Sequence, residues 1–439
     1  MFRIATCTLF SICLLACGPR IKPVVDAGEE DAGVEIDAGR PRGEDPPNGW
    51  QMAVELPASA IAQLSTMFTS VSAIGDQFNQ PVLAALFEDP NGDLNYDDSR
   101  IVYTRWDGVA KAFEPLRTIE IVGGSAPAMP RLPGRQISIA RDAETGRIAI
   151  AYVKPQDNTV RLAISNDEGA NFSLSTVSDV PRAALVSNPS LGLQGGTIHL
   201  AWIQGSDLVY RKKVGAGVFL DQSPAGIVSG ANSISLAVDS AGNAAVAFFG
   251  SVNGNSADLK FWRPGSTASV VASADMLDLS PLEFSPSVTL TFVGTTPHLA
   301  YHLRKLAAVD ATELWYLKST NSGTTWAAPV AIPRNASSAT EFHSTRYYQA
   351  LAIEPSGRVS VAAPWSATGT QINCNGPKLS RAPDGVMFTT CSPMVSPIQR
   401  GGDWINLWTH KPGKQTLVFQ YDPRTNPSIR SGIVMWREP

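Results

Sequence analysis

The chain has 439 residues, of which 44% are hydrophobic and 17% are charged, and its formal net charge at pH 7 is −4. This balance argues against a nucleic-acid-binding protein, because the basic run Arg211-Lys212-Lys213 is too small to hold a phosphate backbone. No long stretch keeps a helical period, which also argues against a helical body.

Residues 1–17 read MFRIATCTLFSICLLAC, with Arg3 ahead of an apolar run that is too short to cross a bilayer as a helix. This pattern predicts a secretory signal peptide. Its end, Leu14-Leu15-Ala16-Cys17, resembles the bacterial lipobox, in which the cysteine is acylated before cleavage on its N-terminal side. The resemblance implies that Cys17 anchors the protein to a lipid membrane of the cell envelope, for which we expect the outer membrane. An ordinary cleaved signal that contains Cys17 is the alternative.

The other cysteines fit an exported protein. Cys7 and Cys13 leave with the signal, so that Cys374 and Cys391 remain in the mature body. An even pair in an oxidising compartment predicts one disulfide, and two free buried thiols are the alternative.

Residues 18–49 form a segment of different composition. The tripeptide Asp-Ala-Gly begins at Asp26, Asp31 and Asp37, aromatic residues are absent, and Gly and Pro are frequent. Such a segment buries too little apolar surface to offset its ordering entropy. We therefore predict a disordered tether over residues 18–49 and a folded body over residues 50–439.

The body consists of short apolar runs that alternate with turn signals, which predicts an all-β fold. The segments GRIAIAY, GTIHLAW, GNAAVAF and TTPHLAY align a small residue with an aromatic neighbour, and QPVLAAL, GRVSVAA and GDWINLW fit more loosely. Seven such units predict a β-propeller of seven four-stranded blades, with six as the alternative. The aligned pairs are Ala151 and Tyr152, Ala201 and Trp202, Ala247 and Phe248, and Ala300 and Tyr301.

The two columns have a physical reason. Blades approach closely near the central axis, where a small residue is needed, and the aromatic neighbour projects to the opposite sheet face and fills the widening wedge. The last strand, SGIVMWREP, is predicted to pair with the N-terminal WQMAVELP, because ring closure removes the exposed sheet edges.

One eight-residue turn occurs twice, as SNDEGANF at 165–172 and STNSGTTW at 319–326. Each copy follows a predicted third strand, and its Asp or Asn side chain is expected to accept hydrogen bonds from turn amides. The glycine permits positive φ, and the aromatic residue is expected to bury against the blade. The residues concerned are Ser165, Asp167, Gly169 and Phe172 in the first copy and Ser319, Asn321, Gly323 and Trp326 in the second.

This pattern resembles the Asp box, S-x-D-x-G-x-x-W, of the sialidase (BNR repeat) superfamily of propellers. A degenerate third copy, RAPDGVMF, keeps Gly385 and Phe388. In that family the motif is a folding device on the outer hairpin of a blade, so the resemblance implies an architecture and not a catalytic site.

The same resemblance implies where a sialidase-type site would lie. Pro130-Arg131-Leu132-Pro133 resembles the aromatic-Arg-Ile-Pro motif of the first substrate arginine, and Asp157 follows at about the distance of the general acid. Against this, a complete blade-like unit precedes Arg131, and Pro130 replaces the aromatic residue. An ion pair or loop role for Arg131 and a turn role for Asp157 are the alternatives.

The run from Asp89 to Asp98 places oxygen-bearing side chains at every second residue, which suits Ca²⁺. Leu94 and Arg100 depart from the calcium-loop patterns, and a solvated acidic hairpin tip is the alternative. His199 and His298 share one strand column, where packing is the expected role, and no cofactor is required. The proposed calcium ligands are Asp89, Asn91, Asp93, Asn95 and Asp97.

The leading hypothesis is a lipid-anchored, extracytoplasmic, monomeric propeller that binds a glycan or a surface protein without turnover. The alternatives are an exo-glycoside hydrolase of sialidase type and a structural envelope component. Trp106, Trp365 and Trp404 are expected to be exposed and are candidates for stacking on sugars, although packing between blades is the favoured role for each of them taken singly.

Overall fold

The residues that form the fold come in ranges separated by gaps, and all structural statements concern these ranges. The described residues contain strands and turns but no helix. They therefore include no helix that could cross a membrane. The computed structural model describes residues 42–55, 67–88, 98–123, 136–178, 186–205, 207–224, 233–253, 256–275, 287–304, 312–333, 342–343, 349–366, 377–383, 387–388, 392–393, 403–421 and 432–439.

The described residues form thirty strands, and every strand pairing is antiparallel. In chain order the strands are β1 (Gly49–Glu55), β2 (Met67–Gly75), β3 (Pro81–Glu88), β4 (Arg100–Asp107), β5 (Ala112–Phe113), β6 (Arg117–Ile121), β7 (Ile137–Arg141), β8 (Ile148–Lys154), β9 (Thr159–Ser165), β10 (Ser173–Thr176), β11 (Val186–Gln194), β12 (Thr197–Gln204), β13 (Asp207–Val214), β14 (Leu220–Asp221), β15 (Ile234–Val238), β16 (Ala244–Asn253), β17 (Ser256–Trp262), β18 (Ser269–Asp275), β19 (Ser287–Val293), β20 (Thr296–Arg304), β21 (Thr312–Lys318), β22 (Val330–Ala331), β23 (Phe342–His343), β24 (Ala350–Ile353), β25 (Val359–Ser366), β26 (Pro377–Ala382), β27 (Ser392–Pro393), β28 (Asp403–Lys411), β29 (Lys414–Tyr421) and β30 (Gly432–Arg437).

These strands make seven sheets, five with four strands and two with five because one strand position is divided into two segments, and the sheets are the blades of a seven-bladed β-propeller, as the sequence predicted. Blade 1 comprises β2–β6, blade 2 β7–β10, blade 3 β11–β14, blade 4 β15–β18, blade 5 β19–β22 and blade 6 β23–β27. Blade 7 is formed by β28–β30 with β1 as its fourth strand, in the order β1-β30-β29-β28. The predicted closure is therefore confirmed, with Trp50 opposite Trp436.

The small residue of each repeat lies on the second strand, directly opposite a short side chain of the innermost strand. Ala151 is opposite Ser138, and Ala201 is opposite Ser190. The remaining pairs are Ala84 with Ser72, Ala247 with Ser235, Ala300 with Thr289, Ala362 with Ala350, and Val418 with Asn406.

The seventh repeat corrects the sequence alignment. GDWINLW was aligned with the second strands, but its residues form β28, the innermost strand of blade 7. The second strand is β29, where Val418 occupies the place that Ala occupies in the other blades. In blade 7, Asn406 of β28 is the innermost-strand residue that lies opposite this small residue.

The aromatic column packs between blades, as predicted. Ala151 belongs to the apolar cluster between blades 2 and 3, whereas Tyr152 belongs to the cluster between blades 1 and 2. The same division separates Ala247 from Phe248. In blades 2 to 5 the second strand therefore offers a small side chain to the blade that follows and a large one to the blade that precedes it. In blades 1 and 6 both side chains are small, because Ala84 is followed by Ala85 and Ala362 by Ala363.

A chain of hydrogen bonds joins neighbouring innermost strands around the hub. Ser138 accepts a bond from the Leu191 amide at 3.2 Å, and Thr289 donates to the Gln349 carbonyl at 2.8 Å. We term these contacts the hub girdle. Its other bonds run from Ile139 N to Ser72 Oγ, Leu236 N to Ser190 Oγ, Leu290 N to Ser235 Oγ and Ala73 N to Asn406 Oδ1, at 2.8–3.1 Å.

The propeller unit begins before residue 50, where the tether was expected to end. It starts at Arg42. The Glu44 amide donates to the Gly108 carbonyl at 2.7 Å, and Asp45 pairs with Arg437 at 3.0 Å. Residues 42–49 therefore belong to the folded unit, because their polar groups have partners on blades 1 and 7.

Removing one girdle hydroxyl should weaken the ring. In Ser138→Ala the buried Leu191 amide loses its partner, so we expect a loss of about 1–3 kcal/mol in the free energy of unfolding. Urea denaturation measures it. Ser173→Ala, at an exposed outer-strand hydroxyl, is the control and should stay within about 0.5 kcal/mol of wild type. Equal losses of unfolding free energy in the two variants would show that the bond from the Leu191 amide to Ser138 does not stabilise the ring more than an exposed hydroxyl does.

Candidate functional site

The two ends of the blades differ. Strands one and two, and strands three and four, are joined at one end, which we term the tight-turn face. The opposite end, the loop face, carries the connections between strands two and three and all seven connections between blades. The connections between blades span residues 56–66, 122–136, 177–185, 222–233, 276–286, 332–341 and 394–402.

Uncharged side chains stand where the innermost strands leave the loop face. The Gln136 backbone N–H donates to the Ser70 side-chain Oγ at 3.1 Å, and the Gln349 side chain donates to the Ala300 carbonyl at 2.8 Å. Asn188 and Ser233 are also buried there. The described side chains at these strand ends are therefore neutral, and hydrogen bonds between blades fix them.

An ionic cluster lies on the loop-face side of the interface between blades 1 and 2. Glu120 of β6 accepts bonds from Lys154 at 3.2 Å, from Arg161 at 3.1 Å and from the Tyr152 hydroxyl. Burial opposes ionisation of Glu120, but the hydrogen bonds from Tyr152 and Lys154 and the charge of Arg161 lower its pKa below the ordinary value. Burial, followed by the bond to Glu120, raises the pKa of Tyr152.

This Tyr–Glu pair differs from a catalytic nucleophile. Tyr152 is fully buried, so its hydroxyl cannot reach a sugar, and its raised pKa makes the phenolate harder to form. The cluster therefore holds blade 1 against blade 2. Glu120 could not be predicted from the sequence, because an isolated carboxylate in the strand RTIEI gives no signal until the strand is placed beside β8.

Asp157 lies in the β8–β9 turn at the loop face, beside this cluster. Its carboxylate accepts a bond from the Thr159 hydroxyl at 2.5 Å and lies 3.9 Å from Lys154 Nζ. Asp157 therefore has the contacts of a turn residue. The other predicted positions lie outside the described residues, namely Arg131, Cys17, Cys374, Cys391, Asp89, Asn91, Asp93, Asn95 and Asp97.

The expectation that Trp106 is exposed was wrong. Its side chain is 3% exposed, donates to the Glu44 carbonyl at 2.8 Å and packs edge-on against Phe113. Trp106 therefore holds the N-terminal segment and does not stack on a sugar. The side chains of Trp365 and Trp404 lie outside the described residues.

A shallow pocket of about 490 Å³ opens between the rims of blades 3 and 4. Gln222, Pro224 and Gly265 contribute to its walls. Trp262 also lines it, but its indole is 1% exposed and donates to the Ser266 carbonyl at 3.0 Å. The pocket lining has no charged residue, and its two hydroxyls are engaged locally, since Ser223 donates to Asp221 at 2.6 Å and Ser266 donates to the Arg263 carbonyl at 2.8 Å.

The two eight-residue turns share one hydrogen-bond pattern and link strands three and four, as predicted. In the first copy the Gly169 amide donates to Ser165 Oγ at 2.7 Å, and the Asn171 amide donates to Asp167 at 2.8 Å. In the second copy the corresponding distances are 2.9 Å to Ser319 and 2.8 Å to Asn321.

Each turn docks on the third strand of the preceding blade. Phe172 packs edge-on against Tyr103 with ring centroids 5.2 Å apart, and Trp326 packs against Phe261 at the same separation. The degenerate copy repeats this contact, because Phe388 packs against Tyr316 at 5.5 Å. The turns are therefore contacts between blades on the tight-turn face, away from the loop face.

The two column histidines form matching buried pairs. His199 Nδ1 lies 2.7 Å from the Tyr210 hydroxyl, and His298 Nδ1 lies 2.7 Å from the Tyr316 hydroxyl. Burial, and then the charge of Lys212, lowers the pKa of His199 to about 4. No group of three or more His, Cys, Asp or Glu residues within the described ranges is arranged to hold a metal ion.

Comparison with known proteins identifies the fold alone. No protein-family model matches the chain, and no curated sequence matches it. A puromycin-hydrolysing peptidase from Mycobacterium tuberculosis aligns with TM-score 0.51 and 12% identity over 90% of this chain. The chain spans 54% of that protein.

Two further solved structures have a similar fold. A fucose-specific lectin from Aleuria aurantia aligns with TM-score 0.43 and 14% identity, over 80% of this chain and 99% of its own. The Hadza microbial sialidase Hz136 aligns with TM-score 0.43 and 13% identity, over 86% of this chain and 66% of its own. At such identities these similarities establish no shared activity.

Replacing Gly169 or Gly242 with alanine distinguishes overlap with a neighbouring side chain from backbone strain alone. Both Gly169 and Gly242 have positive φ, at 85° and 80°, but a Cβ on Gly169 would overlap the Tyr103 hydroxyl whereas one on Gly242 meets open space. We expect Gly242→Ala to cost about 1–2 kcal/mol and Gly169→Ala about 3 kcal/mol or more. Urea midpoints measure the difference, and equal losses would contradict docking against Tyr103.

The histidines predict a pH dependence of stability. Because the folded pKa values of His199 and His298 are about 4 and the ordinary value is 6.5, the unfolded chain binds more protons between these limits. Stability is full above pH 6.5 and falls as the pH drops towards 4, by about 2 kcal/mol per histidine at pH 5. Urea denaturation at several pH values measures it.

The double variant His199→Gln/His298→Gln is the comparison. It should flatten most of this slope while His410, whose pKa burial also lowers to about 4, keeps the remainder. An unchanged slope would show that these two imidazoles do not cause the pH dependence.

Proposed function

We propose that this protein is a lipid-anchored, extracytoplasmic β-propeller that binds a glycan at its loop face without turnover. The observation that carries the proposal is the division between the two ends of the blades. One end is closed by short, internally bonded turns, whereas the other end receives every connection between blades. Binding sites concentrate where a rigid scaffold presents many loops.

The composition of two loop-face connections favours a glycan over a charged ligand. The connection at residues 367–376 reads ATGTQINCNG, and the short β8–β9 turn contributes Gln156 and Asn158. Neutral amides and hydroxyls both donate and accept hydrogen bonds, as sugar hydroxyls require. The neutral side chains at the inner strand ends extend this chemistry towards the axis. A surface protein is the other ligand class.

Two contacts near the predicted acid Asp157 support binding without turnover. The buried Tyr152–Glu120 pair is engaged between blades, and Asp157 is bonded to Thr159. A sialidase-type hydrolase with Arg131 and Asp157 as substrate-binding and acid residues is the alternative, and a structural envelope component is the second.

The proposal includes the placement of the chain. Acylated Cys17 would hold the protein at a membrane of the cell envelope, and the segment that follows would serve as the tether. A disulfide between Cys374 and Cys391 would belong to the same oxidising compartment. Calcium on the loop that runs from Asp89 to Asp97 is an optional addition to the same face.

Glycan-array binding followed by titration calorimetry tests this function. We expect a defined glycan class to bind, with no release from a sialoside reporter. Gln371→Ala/Asn373→Ala should weaken binding about tenfold through the loss of hydrogen bonds. Gln194→Ala/Asn166→Ala, the same two changes on the tight-turn face, should leave it unchanged.

Other outcomes contradict the proposal in distinct ways. Sialoside turnover that disappears in Arg131→Ala would establish the hydrolase. If neither binding nor turnover is observed, the structural envelope role would be the remaining explanation. Loss of glycan binding on chelation of calcium would place the ion in the site.

A further inference from the structure

The pocket between blades 3 and 4 lies apart from the hub, on the side of the ring. Its volume is about 490 Å³, which is within the range of small-molecule sites, roughly 300–1,000 Å³. One wall is formed by residues 222–224, directly after β14. The other is formed within residues 262–266, at the end of β17 and in the turn that follows it, on the tight-turn face.

The glycine of the turn between strands three and four shows why space remains at this seam. In blades 2 and 5 the turn glycine lies against a ring of the preceding blade, because a Cβ on Gly169 would overlap the Tyr103 hydroxyl. A Cβ on Gly323 would likewise overlap the Phe261 ring. In blade 4 the turn glycine is Gly265, and a Cβ there would meet nothing within 4 Å. The turn of blade 4 therefore does not press on blade 3, and the pocket opens beside it.

The tryptophan before this turn bounds the pocket with a packed contact. Trp262 ends β17 and packs edge-on against Tyr210 of blade 3, with ring centroids 5.4 Å apart. Phe172 and Trp326 make the corresponding contacts at other seams, but they do so from the turn itself. Blade 4 therefore covers the ring of the preceding blade from its strand, which leaves its turn free to line a cavity.

The wall on blade 3 is fixed by hydrogen bonds to the third strand of that blade. The Gln222 backbone N–H donates to the Tyr210 carbonyl at 3.1 Å, and the Tyr210 N–H donates to Ser223 Oγ at 3.0 Å. The Gln222 side chain is exposed, and Pro224 is half-buried. This wall therefore offers a carboxamide and a proline ring on a backbone that is already in place.

The wall on blade 4 is a tight turn. The Ser266 N–H donates to the Arg263 carbonyl at 3.0 Å, so Pro264 and Gly265 are the two central residues. Gly265 has a φ of 82°, and proline followed by a glycine of positive φ is the pattern of a type II turn. The peptide between these two residues takes no part in the hydrogen bond that closes the turn, so its polar groups can bond to a ligand.

The charges beside the pocket are engaged elsewhere. No charged side chain is among its lining residues. Arg263 pairs with Asp239 at 2.9 Å, and Asp221 accepts a bond from the Ser223 hydroxyl at 2.6 Å. A phosphate or carboxylate ligand would therefore find no cation in the lining, and an ionic ligand would be held no better than in water.

The groups that do line the pocket suit a sugar. The Gln222 carboxamide and the turn peptide both donate and accept hydrogen bonds, as sugar hydroxyls do. The rings of Pro224 and Pro264, one on each wall, offer apolar surface to the C–H faces of a sugar ring. Because both walls are fixed before binding, little conformational entropy is lost when a ligand enters.

We propose that this pocket is a second binding site, which takes a neutral sugar unit on the side of the ring. The inference goes beyond the proposed function, because it does not depend on which ligand the loop face binds. A glycan that reaches both sites would be held at two points, and the second contact would form at a high effective concentration.

Titration calorimetry of the whole protein with cellotetraose, laminaritetraose and mannotetraose tests the site, with 3′-sialyllactose as the charged probe. We expect a neutral tetrasaccharide to bind and to slow hydrogen exchange in peptides that cover residues 262–266. Gln222→Ala/Pro264→Ala should weaken this binding about tenfold, through lost hydrogen bonds and apolar contact. Gln222→Ala alone keeps the backbone bond to Tyr210 and should weaken it about threefold, which serves if the double variant has a lowered melting temperature.

The matched control is Gln194→Ala/Pro115→Ala, the same two changes away from the pocket, and it should bind as the wild type does. No binding of the neutral probes, an equal loss in the control, or tighter binding of 3′-sialyllactose at this site would overturn the inference. Gln371→Ala/Asn373→Ala separates the two sites. Loss of all binding in that variant, beside wild-type affinity in the pocket variants, would leave the loop-face site alone. The reverse result would support the pocket and count against the loop face.

Discussion

The fold depends on close approach of neighbouring sheets at the hub. Seven innermost strands fit around one axis because each second strand places a small residue, Ala or Val, opposite a short side chain of the first strand. This closeness lets the Ser138 hydroxyl reach the backbone of the next blade. Apolar packing and buried hydrogen bonds therefore support the same geometry, since a larger residue in the small column would separate the partners of the girdle.

The architecture could be predicted where a repeat preserved its chemistry. The Ala–aromatic pair recurs because the small side faces the next blade and the large side faces the previous one, and both constraints are local to the second strand. Blade 7 departs from this pattern, since Val418 replaces Ala and Trp408 imitates the aromatic column on the wrong strand. The misalignment of GDWINLW follows from that substitution.

The site was harder to predict because its contacts join residues far apart in sequence. Glu120 and Arg161 meet only when blade 1 is placed beside blade 2, and Trp106 is buried by a segment that composition alone assigned to the tether. The repeated turn was predictable in its hydrogen bonds, which are local, but its docking partner Tyr103 lies in the preceding blade. Loop-face residues such as Asp157 matched a family motif, but the sequence did not show which side chains would surround them.

The closing blade takes its outer strand from the start of the body and its other three from the end. During synthesis β1 is therefore made early, and it stays without this partner until β30 has been made. The ring therefore closes late. Pairing of β1 with β30 joins the two segments of the fold that are farthest apart in sequence, and it carries the largest loss of chain entropy. Chain completion, and not local strand formation, then sets the moment at which this protein resists proteases.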